Sequence, residues 1–517
     1  SGDHGNNWKI ISPDLTTNDP EKQKQFDTGG LNYDNSGAEK HTTITVVEPS
    51  TLSKGMIWVG TDDGNVQLTR DGGQEWTNSA GKFPDLPANS WVQQIKASTY
   101  DAGTAFVIFD EHRRDDWNPY VYRTTNYGRS WKRIVNNDDV FGFALSFVQD
   151  PIEPKLMFLG TESGLYVSMD GAESWAKWTH GYPTVPTMDL QIHPREHDLI
   201  LGTFGRALWI MDDIRPLREA TSLGMKKIAS KTIHTFPIPD ATNAIIGPYW
   251  GYRSTGNGLF MAENKPFSAG ISYYVNEAGK GKVKMEISDV NGVVIRTRYY
   301  TPKTGVNRVY WGFESDGIRN PGSRVPKGNE ITKPSGFDVL PGTYSVKLTY
   351  NEASHSQKIN VFKDARVELD GIALNDKQDF IAQYYELVTR VTEAVDKIDN
   401  ASKVVVNVLA VASDNDVVKT QSNEIKKQLT GLREKIFEKQ VQGFRNDPAM
   451  ISSQLGNIRR TMGGSYKPIT QSQTYAYNKA KKNSDRVISE INAFFTNEWV
   501  DYKALIDGAN LELVKKF

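Results

Sequence analysis

The chain has 517 residues, 38% of them hydrophobic and 24% charged, with 61 Lys+Arg against 62 Asp+Glu and no cysteine. The length predicts about three domains; the balanced charge excludes a nucleic-acid binder, which needs a clustered basic surplus; and the lack of Cys excludes disulfide staples, Cys-ligated zinc and thiol catalysis. No apolar run of about 18 residues is available to span a membrane, whereas 12 Trp, 22 Tyr, 21 Phe and 43 Gly suit a β-rich architecture with many tight turns.

The chain opens Ser1-Gly2-Asp3-His4-Gly5-Asn6-Asn7-Trp8, with neither an initiator Met nor the basic start and apolar core of a signal peptide, so a processed or truncated product is expected. The opening pattern, Ser/Thr-x-Asp-x-Gly-x-x-Trp, recurs. Thr69 to Trp76 fits it with Asp71; Thr124 to Trp131 fits with Asn126 in place of Asp; Ser168 to Trp175 fits with Asp170, and with Ala172 where Gly is expected. A hydroxyl and a carboxylate bonding turn amides, a Gly at positive φ and a Trp closing into the core describe a hairpin corner. The structural residues of these Asp-boxes are thus Asp3, Trp8, Asp71, Trp76, Asn126, Trp131, Asp170 and Trp175.

Upstream of each box runs the same order of strand, turn, apolar strand, Gly-Thr and strand, as in Met56 to Gly64, Met157 to Gly164 and Leu199 to Arg206. Four short strands per repeat of about 40–50 residues define a β-propeller blade, and the blades are expected at 41–79, 90–134, 141–178 and 185–214. The last lacks an outer strand, because no box follows Ala207 to Ile214 and Pro216 intervenes. Trp8-Lys9-Ile10-Ile11 reads as an outer strand whose blade partners precede residue 1, so the propeller is expected to be incomplete in this chain.

The boxes resemble bacterial neuraminidase-type repeats, and residues 8–365 are similar to the sortilin-like, "glycosyl hydrolase"-labelled propeller proteins that bacteria secrete. Ser12 to Thr16, Trp58 to Gly64, Asp115 to Thr124 and Gly202 to Ile214 carry the resemblance. It implies an extracytoplasmic location, secreted, cell-surface or periplasmic. It does not by itself imply activity, because the label follows the repeats and fold does not fix function.

Sialidases and xyloglucan-degrading enzymes share these repeats, so glycoside hydrolysis is weighed. It requires carboxylates placed across the scissile bond. Asp62, Asp63, Asp115, Asp116, Asp212 and Asp213 supply acids, but Asp62-Asp63 suits a turn-forming role. The excursion Asp110 to Trp117 breaks the blade rhythm, and propeller-loop insertions are where binding sites sit. Arg113, Arg114, Asp116 and Trp117 are therefore the candidate ligand contacts, suited to a glycan or an anionic protein patch. The alternative is that they pin the loop and bridge neighbouring blades.

Residues 215–262 read as an irregular connector with Phe236-Pro237-Ile238-Pro239 and Gly247 to Tyr252, whose aromatics either pack between domains or form a carbohydrate platform. Alternation from 263 to 366, with the Asn291-Gly292 hairpin signal, reads as strands. Asn307 to Trp311 and Pro341 to Tyr344 resemble the Ig-like sandwich of flagellar hook-capping proteins and of many secreted bacterial enzymes, with a departure at Lys265 to Ser268. From 370 to 517 the period becomes helical. One stripe is Phe380, Tyr384, Leu387, Val391, Val395 and Ile398; another is Ile425, Leu429, Leu432, Ile436 and Phe437; a third is Ile451, Leu455, Ile458 and Met462. The last helix runs from near Gln473 toward Trp499, with Asp414-Asn415 and Asp447-Pro448 marking loops. This reads as an antiparallel helical bundle whose stripes form a core, since no Glu-x-x-His pair faces inward.

The expected fold class is thus multidomain, mainly β and then α: Asp-box β-propeller, Ig-like sandwich, C-terminal helical bundle. No Ser-His-Asp arrangement, metal spacing or phosphate loop stands out, so no catalytic residue, metal or cofactor is assigned. The expected function is a non-enzymatic extracytoplasmic binding or scaffold protein that engages a protein or glycan ligand and its own upstream propeller portion, with no nucleic acid and no membrane span. The alternative is a glycoside hydrolase with its catalytic carboxylates in missing upstream blades.

Overall fold

A computed structural model describes residues 1–24, 41–244, 265–328, 331–368, 371–412, 415–438, 447–463, 468–509 and 511. Gly247 to Tyr252 and Asp414, which figured in the expectations above, lie outside the described residues. The chain divides into two compact units, Ser1–Ser230 and Lys231–Phe517.

The first unit is built of consecutive antiparallel sheets in the manner of propeller blades. The first comprises β1 (Ile44–Pro49), β2 (Ile57–Thr61), β3 (Val66–Thr69) and β4 (Thr77–Asn78); the second β5 (Trp91–Ala97), β6 (Ala105–Asp110), β7 (Tyr120–Thr124) and β8 (Lys132–Arg133). The third has β9 (Ala144–Gln149), β10 (Met157–Thr161), β11 (Gly164–Ser168) and β12 (Ala176–Lys177), and the fourth stops at three strands, β13 (Thr187–Ile192), β14 (Leu199–Thr203) and β15 (Leu208–Met211). Strand β6 is buried along its whole length because blades flank both of its faces, which is why it reads AFVIFD rather than alternating. The leading strands pack in succession, β1 on β5, β5 on β9 and β9 on β13, and no comparable packing joins β13 back to β1 among the described residues. At this open end Leu208 is 72% exposed and Ile210 is also exposed.

Two expectations are corrected here. Trp8 to Ile11 forms no strand, and Trp8 is 82% exposed rather than closed into a core. The segment instead lies along the first blade, where Trp76 Nε1 donates to the Ile11 carbonyl (3.3 Å) and Asn65 Nδ2 to that of Leu15 (3.0 Å). Nor are the first residues after 214 irregular: α1 (Arg215–Leu223) and α2 (Met225–Ala229) follow at once. Pro216 opens α1 from its first turn, where a missing N–H costs nothing.

The second unit begins with β16 (Ile233–Thr235) and β17 (Ala241–Asn243), some thirty residues before the expected sandwich boundary. Strands β18 (Ala269–Val275), β19 (Val283–Ser288), β20 (Val294–Tyr300), β21 (Gly305–Trp311), β22 (Glu314–Asp316), β23 (Ser335–Asp338), β24 (Gly342–Tyr350) and β25 (Ala353–Lys363) complete its β portion. One sheet has the order β16-β18-β21 and another β17-β25-β24-β19-β20, with Ile271, Tyr273, Met285, Trp311, Val346 and Ile359 in the shared core. At the Asn291-Gly292 turn, Gly292 takes φ 79, and the Asp289 carboxylate accepts the amides of Asn291 and Val293 (2.9 Å each).

Among the described residues five helices follow: α3 (Gly371–Val411), α4 (Asp416–Glu434), α5 (Ile451–Met462), α6 (Gln471–Thr496) and α7 (Glu498–Gly508). The anticipated last helix is two, broken at Asn497 (φ −108, ψ −84). Their apolar stripes share one core with Phe337 of β23.

Candidate functional site

Because each blade is an antiparallel meander, its connections segregate to two ends. The β3–β4, β7–β8 and β11–β12 corners lie at one end. The β2–β3, β6–β7 and β10–β11 connections, together with the links from one blade to the next, lie at the other.

The motif turns at Thr69, Thr124 and Ser168 occupy the first end, and these and the turn at Ser1 repeat one geometry. Thr69 Oγ1 donates to Asp71 Oδ1 (2.8 Å) and accepts the Gly73 amide (2.9 Å), while Asp71 Oδ1 accepts the amides of Gln74 and Glu75 (2.9 and 3.1 Å). Asp170 accepts from Ser168, Glu173 and Ser174 in the same way, Asn126 from Thr124 and Ser130, and Asp3 from Ser1 and Asn7. Donation from the Asn7 amide and side chain holds Asp3 down to about 2, and the Glu75 amide with the Thr69 hydroxyl lowers Asp71. Two successive residues in each box are left-handed, including Tyr127 (φ 60) and Ala172 (φ 69); the pattern had placed positive φ on one residue only. Trp131 is buried edge-on to Trp58 of the preceding blade, and Trp175 Nε1 donates to the Ile134 carbonyl (3.0 Å) of its own predecessor. Trp76 is half-buried against Ile11.

The excursion singled out in the sequence stands at the opposite end, where residues 112–114 form a single 3-10 turn. Arg114 is tied to the carbonyls of Ala88 (2.9 Å) and Asn89 (2.8 Å) and paired with Glu111. Arg113 bonds Asp110 Oδ2 (3.2 Å) and lies over the Trp91 ring at 4.5 Å. Asp116 accepts the Asn118 amide (3.0 Å) and the Tyr120 hydroxyl (2.8 Å). These three side chains hold the loop to its own blade and to the link that enters it.

Trp117 is different. It is 49% exposed, with its ring 5.5 Å from that of Phe143, which stacks on His112 at 4.4 Å. His112 is fixed by Asp110 (Nδ1 to Oδ1, 2.6 Å). Beside Trp117 opens a groove of about 420 Å³, bounded by Pro119, Val140, Phe141, Gly142 and Glu162. It lies where the β6–β7 excursion, the β8–β9 link and the β10–β11 turn meet. Phe141 is 74% exposed. Gly142 (φ 83) makes the bend, and a Cβ there would stand 3.3 Å from Glu162 Oε2. Phe141 was missed in sequence because Phe141-Gly142-Phe143 reads as the start of a strand, whereas β9 begins only at Ala144; Glu162 was missed because it sits in an ordinary β10–β11 turn.

Four of the other acids considered are engaged within the fold. Asp62 accepts the Thr43 amide (2.7 Å), Asp63 the Thr17 amide (2.6 Å) and hydroxyl (2.7 Å), Asp115 the Trp117 indole (3.3 Å) and Asp213 the Arg215 guanidinium (2.6 Å). Burial raises Asp62 above the usual carboxylate range despite the Thr43 bond. Among the described residues lining the groove, Glu162 is the one carboxylate.

No family model matches the chain, and no curated protein is significantly similar. Solved structures that align with it include YCF48 from Cyanidioschyzon merolae (18% identity, 33% of this chain and 56% of that one, TM-score 0.22). A GH74 xyloglucanase from Xanthomonas campestris aligns at 14% identity over 65% of this chain and 47% of that one, TM-score 0.28. PorZ, a surface component of the type-IX secretion system of Porphyromonas gingivalis, aligns at 10% identity over 62% and 52%, TM-score 0.22. The chain spans less than two thirds of the length of each of these three β-propeller proteins.

Proposed function

We propose that the chain is a non-enzymatic, extracytoplasmic binding or scaffold protein whose propeller engages a protein or glycan at the groove beside Trp117. The observation that carries this is the pair of exposed aromatics that line the groove at a junction of three loops, Phe141 and Trp117, the latter packed on the Phe143–His112 stack. Large apolar side chains are kept on a surface when a partner covers them. Glycoside hydrolysis calls for two facing carboxylates, and the groove offers one, so binding is the favoured reading.

The same proposal includes further blades of this propeller as a partner. Ile11 follows Trp8 by three residues and accepts from Trp76, just as Ile134 follows Trp131 by three and accepts from Trp175. The first box thus stands to the first blade as the second blade's corner stands to the third, and the exposed Leu208 and Ile210 offer an apolar face at the other open end. In this reading residues 263–366 are an Ig-like spacer and 370–517 a helical bundle for docking.

The test is capture of glycans and envelope proteins by the full chain and by Trp117→Ala and Phe141→Ala, together with a sugar-release assay on sialosides and polysaccharides. Capture that both substitutions abolish supports the proposal. Sugar release by the full chain, or capture indifferent to both substitutions, overturns it.

A further inference from the structure

The cations around the groove are already used. Arg113 and Arg114 are bound as described, and Arg133 donates to the Pro119 carbonyl (2.7 Å) and lies over the Tyr120 ring at 4.7 Å. The amides are used as well: Asn137 donates to Asn118 Oδ1, and its own Oδ1 accepts from Arg133 (3.2 Å). What the groove keeps for a ligand is two aromatic faces, the apolar edges of Pro119 and Val140, and the half-buried Glu162 carboxylate, to which no described cation is bonded.

This residue set discriminates among ligands. An anionic ligand meets Glu162 with nothing to offset it. A sugar ring needs donors and acceptors spread around its hydroxyls, and most of the amides that could supply them are bonded to one another. A guanidinium or ammonium suits what remains, since it can lie on an indole or phenyl face while donating to a carboxylate. The aromatic surface also extends past the reach of one cation, so the neighbours of a basic residue would be covered too.

Resting on the reading of the groove as a binding site, we propose that its occupant is an extended protein segment that presents an arginine or lysine to Glu162 and stacks that side chain and its apolar neighbours on Trp117 and Phe141. Recognition is by charge and stacking rather than by a hydroxyl array, so the specificity is for basic-apolar segments.

The experiment uses three pools of hexapeptides, random except for arginine, its neutral isostere citrulline, or glutamate at the third position, applied to the immobilised full chain. The arginine pool should be retained about tenfold more than the citrulline pool. Glu162→Gln should erase that preference, Glu162→Lys should transfer it to the glutamate pool, and Trp117→Ala should lower retention of all pools while circular dichroism stays unchanged. Equal retention of the arginine and citrulline pools by the unaltered chain, or a preference that survives Glu162→Gln, overturns the proposal. Cello-oligosaccharide binding that needs Trp117, with no arginine preference, overturns the peptide occupant and leaves the groove standing. Retention of every probe unchanged by Trp117→Ala overturns both.

Discussion

The third blade and α1 are joined by a buried ion pair, and removing half of it should be costly. Asp150 has a fully buried carboxylate that receives Arg218 Nε at 3.0 and 2.8 Å and caps the amides of Ile152 and Glu153 at 2.8 Å each. Arg218 is itself only 6% exposed, and its second contact is His197 Nδ1 at 2.8 Å. Asp150→Ala leaves a buried guanidinium without its counter-charge, about 3–5 kcal/mol, and two turn amides without acceptors, about 1 kcal/mol each in isolation. The losses overlap, so about 4 kcal/mol is expected, or a melting shift of about 8–16 °C for a unit of this size. The assay is thermal unfolding of the full chain with hydrogen-exchange mass spectrometry, which assigns the loss to β9, β14 and α1. Asp150→Ala with Arg218→Met should recover more than half, because the stranded charge is gone. If the double substitution is as unstable as Asp150→Ala alone, the stranded charge is not the cause and the reasoning fails.

Other expectations follow from single positions. Gly128→Ala places a Cβ 2.6 Å from Ser79 Oγ and 3.2 Å from the Trp58 ring at φ +72, so strain and overpacking together should cost about 3 kcal/mol in a urea titration. Ala172→Gly should be close to neutral by the same titration, because relief of the left-handed alanine, about 1 kcal/mol, is offset by a buried methyl worth about 0.8 kcal/mol. Gly142→Ala should weaken ligand capture more than it lowers the melting temperature, since its methyl crowds Glu162. Burial, with Lys231 3.0 Å away and His355 beside it, lowers His234 to about 4. The unfolded chain therefore takes up that proton first, and stability present above about pH 6.5 is lost as pH falls toward 4, by about 2 kcal/mol after allowance for screening; His234→Asn should flatten the profile measured by exchange at β16.

The blades were legible because most of them repeat a local signal that tertiary context does not override: a buried apolar strand, Gly-Thr in three of the four, and in the first three a box whose bonds are almost all within five residues. What escaped was non-local. Trp8 has the same box around it as Trp131, yet it is exposed, whereas Trp131 packs on Trp58 of the preceding blade. The helix at Arg215 was hidden behind Pro216, read as a breaker when in fact it starts the helix, and by Arg218, whose burial depends on an aspartate 68 positions earlier. Of the candidate ligand contacts, Trp117 was visible as an aromatic in an inserted loop. Glu162 was invisible, since nothing near it in sequence marks it as facing Trp117.

Counting acids along a propeller therefore misleads about chemistry, and the two ends of the blades show why. At the box end each carboxylate accepts several donors, chiefly amides, at fixed angles, and such donation stabilises the ionised form; Asp3 at about 2 and the lowered Asp71 and Asp170 follow from it, burial opposing the shift in Asp170. A group so held is a poor general acid or base near neutrality, however close a substrate comes. At the loop end the requirement is reversed, because a ligand can bond only to groups that the fold has not already satisfied. Arg113, Arg114 and Asp116 look like ligand contacts by residue type and fail that criterion, whereas Glu162 meets it. In repeats of this kind, the charged residues worth testing are those that the local motif leaves with a bond still to make.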